Sequence, residues 1–95
     1  MIAACYGTAY RFGKTGKVLD AATRAGVAGV TVTCVAGGRE TRAVRTAANG
    51  SFQLMTQREC DELRVADGAG ARYAATSVPG GATDDVGVIA LQPAK

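Results

Sequence analysis

Val30–Val35 reads VTVTCV, and the fold turns on how that run is taken. Valine and threonine are branched at Cβ, stiff at χ1 and suited to a pleated sheet. Side chains of an extended chain alternate between two faces. Val30, Val32 and Cys34 therefore form one row, and Thr31, Thr33 and Val35 the other. The first row is read as the inward one.

The same reading extends in both directions. Upstream, GKVLD (Gly16–Asp20) is a strand that turns Val18 inward, and Ala21–Gly29 is a polar connection ending in a turn between Gly26 and Gly29. Downstream, Gly37-Gly38 reverses the chain into ETRAVRT (Glu40–Thr46). There Thr41, Ala43 and Arg45 share one face, and Arg42, Val44 and Thr46 the other. Neither face is richly apolar, so the segment is expected at a sheet edge, with charges that discourage edge-to-edge pairing. Asn49 and Gly50 form the sharpest turn signal, since both tolerate φ > 0. They are expected to close a hairpin between Glu40–Thr46 and SFQLM (Ser51–Met55), in which Phe52 and Leu54 alternate inward. After the polar loop Thr56–Glu62, ELRVAD (Glu62–Asp67) turns Leu63 and Val65 inward. RYAATSV (Arg72–Val78), the loop Pro79–Asp85 and VGVIALQP (Val86–Pro93) complete the chain. In the last segment Val86, Val88 and Ala90 form one row and Ile89 and Leu91 the other, and Val88 is assigned to the core.

These runs make about seven short strands cut by turn signals roughly every ten residues, the pattern of an all-β sandwich. The best helical candidate, Asp20–Val27, is too short to stand alone. Ninety-five residues suffice for one domain. The expected division is an N-terminal segment, 1–15, and a sandwich, 16–95.

Composition narrows the function. The chain has no histidine, which removes the commonest general base and metal ligand. Its carboxylate pairs, Asp84/Asp85 and Glu59/Asp61, show no sign of the burial that would separate their pKa values. The expectation is a non-catalytic protein without a cofactor. Eleven basic residues against eight acidic ones give a net charge of +3, spread along the chain with no Trp among them. That is not the dense basic stripe with aromatic platforms that nucleic acid calls for.

Cys34 ends an inward row, and Cys60 stands just before Leu63 and Val65. Arg58, Glu59, Asp61 and Glu62 around Cys60 suggest solvent, where a free thiol is a liability. A Cys34–Cys60 disulfide is therefore expected, with two free cysteines as the alternative. It would close a loop of about 27 residues and contribute roughly 3–4 kcal/mol by chain entropy. Cys5 is left over. It is open to a second chain, to a different pairing or to a lipid.

Two resemblances bear on these residues. Ile2-Ala3-Ala4-Cys5 resembles the end of a bacterial lipobox, and CYGTAY (Cys5–Tyr10) resembles the start of small bacterial lipoproteins associated with radical-SAM genes, although it lacks their proline. That likeness implies lipid on Cys5, attachment to a membrane of the bacterial cell envelope and an extracytoplasmic location. From Gly16 to Gln92 the chain resembles a carboxypeptidase regulatory-like domain, a seven-stranded Greek-key sandwich of the transthyretin (prealbumin) kind. The matching positions are Gly16, Val18 and Asp20, then Val27, Gly29, Val30 and Val32, then Thr46, Gly50 and Phe52, and later Leu63, Val65, Val88, Ala90 and Pro93. Ala47 and Gly26 depart from the pattern, where Asp and Pro are usual. Such domains serve as accessory modules, which implies a structural role or a protein partner.

A ligand-binding module is the alternative, with Thr56–Glu62 and Pro79–Asp85 as candidate loops. Asp84 and Asp85, together with Asp67, would offer calcium its oxygen ligands. A carbohydrate would need exposed aromatic rings, and Tyr6, Tyr10 and Tyr73 are the candidates, with Tyr73 read as core. A further route to a partner is strand pairing on Glu40–Thr46. One expectation follows directly for the core. Replacing Phe52 by alanine should cost about 3–5 kcal/mol in urea unfolding if the ring is interior, and a loss below about 1 kcal/mol would mean that it is not.

Overall fold

The computed structural model describes residues 12–67, 72–80 and 85–94. Seven strands lie among them, and no helix: β1 (Phe12–Asp20), β2 (Thr31–Ala36), β3 (Arg39–Arg45), β4 (Ser51–Thr56), β5 (Glu62–Ala66), β6 (Thr76–Pro79) and β7 (Asp85–Leu91). They form two sheets, β4-β1-β7 and β3-β2-β5-β6. The protein is an all-β sandwich. Every neighbouring pair is antiparallel except β1 and β7, which run parallel.

Alternation places the core between the sheets. β2 sends Val32 and Cys34 inward behind Val30, β4 sends Phe52 and Leu54, and β5 sends Leu63 and Val65. β1 contributes Val18, and β7 contributes Ile89 and Leu91. Lys14, on the same inward row as Val18, is also buried. The first strand starts at Phe12, opposite Thr56 of β4, ahead of Gly16 where the apolar pattern becomes legible.

Two expectations are corrected. Glu40–Thr46 and Ser51–Met55 do not pair as a hairpin, because β3 and β4 belong to different sheets. The Asn49-Gly50 turn does form: Gly50 takes φ +86° and donates its N–H to the Ala47 carbonyl at 2.8 Å. Asn49 Oδ1 accepts the Ser51 N–H at 3.0 Å and its hydroxyl at 2.7 Å. The turn spans the gap between the sheets. Thr46 stays bound to Val30 on the larger sheet, whereas Ser51 already lies opposite Lys17 on the smaller one. A within-sheet hairpin does form at Gly37-Gly38, where it joins β2 to β3.

The second correction concerns Val88, which is 53% exposed rather than in the core. Thr15 lies opposite Asp85, but Gly16 lies opposite Gly87, so Val86 is an extra residue on β7. Such a bulge shifts the alternation by one. Val86 is half-buried against the core, and after Gly87 (φ +77°) Ile89 and Leu91 face in and Val88 faces out. The Asp85 carboxylate accepts the Gly87 N–H at 2.8 Å and holds the bulge.

Thr46 fastens the β1–β2 connection to the end of β3. Its hydroxyl donates to the Val27 carbonyl at 2.6 Å and accepts the Val30 N–H at 3.0 Å. Cys34 and Cys60 are joined by a disulfide, with their Cα atoms 5.4 Å apart and both residues buried. Cys60 lies on the connection that returns from β4 to β5, so the bond ties that return to the central strand β2. Asp61 adds two contacts there: its N–H donates to the Val35 carbonyl at 2.8 Å, and its carboxylate accepts the Gly37 N–H at 2.8 Å.

A Cys34→Ala/Cys60→Ala chain should lose about 3–4 kcal/mol of unfolding free energy. Urea titration under oxidising and reducing conditions measures it. Equal midpoints for the oxidised parent and the variant would remove the disulfide from the stability argument.

Candidate interaction surface

Among the described residues polar groups gather at three places, each with different contacts. The first is the end of the sandwich where β1 stops. Asp20 closes the strand with one carboxylate oxygen, which accepts the N–H groups of Ala22 and Thr23 at 2.7 and 3.0 Å. The other oxygen accepts the Tyr73 hydroxyl at 2.7 Å. Beside them the buried Asp67 carboxylate, 4% exposed, accepts the backbone N–H and the guanidinium of Arg72. Arg72, 59% exposed, reaches over the Tyr73 ring at 5.6 Å from its centroid. Residues 72–74 also pair with 92–94, through Ala74 N–H to Gln92 O and Ala94 N–H to Arg72 O. This cluster closes the end of the sandwich.

Its titration behaviour follows from these contacts. The Tyr73 hydroxyl, followed by the N–H groups of Thr23 and Ala22, holds the Asp20 carboxyl below the ordinary aspartate range. The Arg72 side chain holds Asp67 low against the opposing pull of burial. The Asp20 bond in turn pushes the Tyr73 phenol up.

The second place is the outer face of the larger sheet. Arg64 lies between Glu40 and Glu62, 3.2 and 3.5 Å from their carboxylates. Cys34 is opposite Arg42 while Val35 is opposite Glu40, so Thr41 is a bulge that carries Glu40 onto this face. These are exposed ion pairs and contribute little to stability.

The third place is the edge strand β3 and the cleft beside it. β3 has β2 on one side and, among the described residues, no strand on the other. Arg39, Arg42 and Arg45 are exposed along it. Val44 is half-buried against the core. Where β3 passes the end of β4, Thr41, Arg42, Thr56, Gln57 and Arg58 line an open cleft of about 320 Å³. The Thr56 hydroxyl donates to the Arg58 carbonyl at 2.6 Å and so links two of the lining residues.

The residues singled out in the sequence fall variously on this map. Asp67 and Tyr73, candidates for calcium and carbohydrate, are engaged by Arg72 and Asp20. Cys5, Tyr6, Tyr10 and Asp84 lie outside the described residues. Among the described residues no group of three or more His, Cys, Asp or Glu is placed to hold a metal ion. The pairing of Arg42 with Arg58 across the cleft has no local signature in the sequence. Sixteen positions apart, one lies on the edge strand β3 and the other on the connection that leaves β4, and only the tertiary crossing brings them together.

No protein-family model matches the sequence, and no curated protein matches it. Among solved structures, a streptococcal ancillary pilin is similar with a TM-score of 0.59 over 90% of this chain, at 16% identity. The match spans 30% of the pilin chain. At that identity the likeness is one of fold, and the class it defines is an all-β, pilin-like sandwich.

The Asp20 and Asp67 contacts make the sandwich acid-sensitive. Their folded pKa values lie below the unfolded ones, so the stabilisation is present above about pH 4 and is lost as the pH falls below that. Tyr73→Phe should lower stability at neutral pH and flatten the acid side of the profile, because Asp20 loses the partner that holds it ionised. Urea midpoints from pH 6 down to pH 2 test this, and parallel profiles for the two chains would exclude it.

Proposed function

We propose that this chain is a non-catalytic, lipid-anchored β-sandwich of the bacterial cell envelope, held outside the cytosol through Cys5 and acting as a structural or protein-interaction module. The observation that carries the reading is the buried Cys34–Cys60 disulfide, because such bonds persist in oxidising compartments and are rare in reducing ones. The sandwich it resembles belongs to an ancillary pilin, which favours a role in contacts between proteins. The matches at Gly16, Val18, Asp20, Gly50 and Phe52 keep kinship with carboxypeptidase regulatory-like domains within this reading. The lipobox-like Ile2-Ala3-Ala4-Cys5 supports acylation, and two or more acyl chains hold a protein firmly where one holds it reversibly. Residues ahead of Phe12 then serve as the tether. A calcium or carbohydrate module is less favoured, since Asp67 and the Tyr73 hydroxyl are engaged within the fold.

Intact mass of the protein expressed in a bacterial host behind a full lipoprotein leader tests the anchor. The expected result is an acyl adduct on Cys5 and membrane-fraction recovery that Cys5→Ser abolishes. An unmodified Cys5 in that material would refute it.

A further inference from the structure

We propose that the edge of β3 on which the described residues place no strand, together with the Arg42/Arg58 cleft, is a strand-addition site for an extended acidic segment of a partner protein. This deepens the interaction-module reading and rests on it. The backbone phase comes first. Thr46 donates its N–H to Val30 O at 2.9 Å, so Thr46 faces β2. In an antiparallel ladder alternate residues bond to the same neighbour. Val44 and Arg42, opposite Val32 and Cys34, therefore also turn their amide groups to β2. Ala43 and Arg45 turn theirs to the side where the described residues place no strand.

Charge then selects the occupant. β3 carries three arginines and a single acid, Glu40. The bulge at Thr41 removes that acid to the outer face, where Arg64 takes its carboxylate. What faces an incoming strand is Arg39, Arg42 and Arg45, reinforced by Arg58 from the connection that follows β4. A strand laid along this edge turns alternate side chains to opposite faces. Acidic side chains on one face enter the cleft beside Arg42 and Arg58, and those on the other lie beside Arg45. The arrangement rejects a basic strand by repulsion and rejects a second copy of β3 for the same reason. Backbone bonds would supply affinity and the arginines specificity, the division of labour usual in strand addition.

The test uses the soluble, unacylated chain and a short capped peptide alternating threonine and glutamate, with a threonine–lysine peptide as control. Amide shifts of the protein are followed by NMR. The expected response is confined to Arg39–Thr46 and Gln57–Arg58, weakens with added salt and is absent for the lysine peptide. Arg42→Glu with Arg58→Glu should weaken binding about tenfold or more. Ala43→Pro removes an outward N–H without touching the β2 ladder and should weaken it about tenfold as well. N-methylation of alternate peptide amides should do the same with the protein unchanged, which guards against a misfolded variant. Full binding of the methylated peptide would overturn strand addition, and concentration-dependent self-association through β3 would overturn the acidic partner. A response confined to other strands would refute the edge while leaving the interaction role intact. Silence at every amide would refute the edge, and Cys5 acylation, read on separate material, would still judge the anchor.

Discussion

The bond between Cys34 and Cys60 secures the point on which the architecture most depends. The chain passes from one sheet to the other at the β1–β2, β3–β4, β4–β5 and β6–β7 connections. Each passage brings distant segments together and carries a loop-closure cost that local structure does not repay. The interior against which that cost is set is built mainly of valine and leucine, with Phe52 the one buried aromatic ring among the described residues. A covalent tie on the β4–β5 return fixes that passage to β2, the strand flanked by β3 and β5. Thr46 does the equivalent for the β1–β2 passage by hydrogen bonding, with its hydroxyl joining Val27 and Val30.

Much of the fold was legible because period-two alternation reports burial directly. It placed Val30, Val32, Phe52, Leu54, Leu63 and Val65 on rows whose members all lie inside. It failed where a local signal had to stand for a global one. Asn49-Gly50 specifies a reversal of the backbone and says nothing about which sheet receives the next strand. At β7 the alternation was read continuously through Gly87, and a single inserted residue put Val88 on the wrong face. The candidate surface was half legible. The exposed arginines of β3 announced an edge, whereas the cleft needed Arg58, which approaches only when β4 ends beside β3. The Asp20–Tyr73 bond spans 53 positions, and no pattern within either segment points to the other.

The charged groups divide by location. Asp20, Asp67 and Asp61 are spent on closing turns and ends of the sandwich, each accepting backbone N–H groups. Glu40 and Glu62 are drawn to Arg64 on one outer face. A modest net charge of +3 thereby becomes a local concentration of positive charge along one lateral edge. That is how a chain with scattered basic residues comes to present a directional surface without any run of like charges in its sequence.

The parallel pairing of β1 with β7 has a mechanical consequence. The first strand enters at one pole of the sandwich and the last leaves at the opposite pole, with the two ladders side by side from Thr15 and Asp85 to Asp20 and Leu91. Tension entering at Phe12 and leaving at Leu91 pulls these neighbours lengthwise past each other, so the hydrogen bonds between them resist together instead of parting one by one. A sandwich strung in that way between a fixed support and a moving load is braced against traction by the shared direction of its first and last described strands.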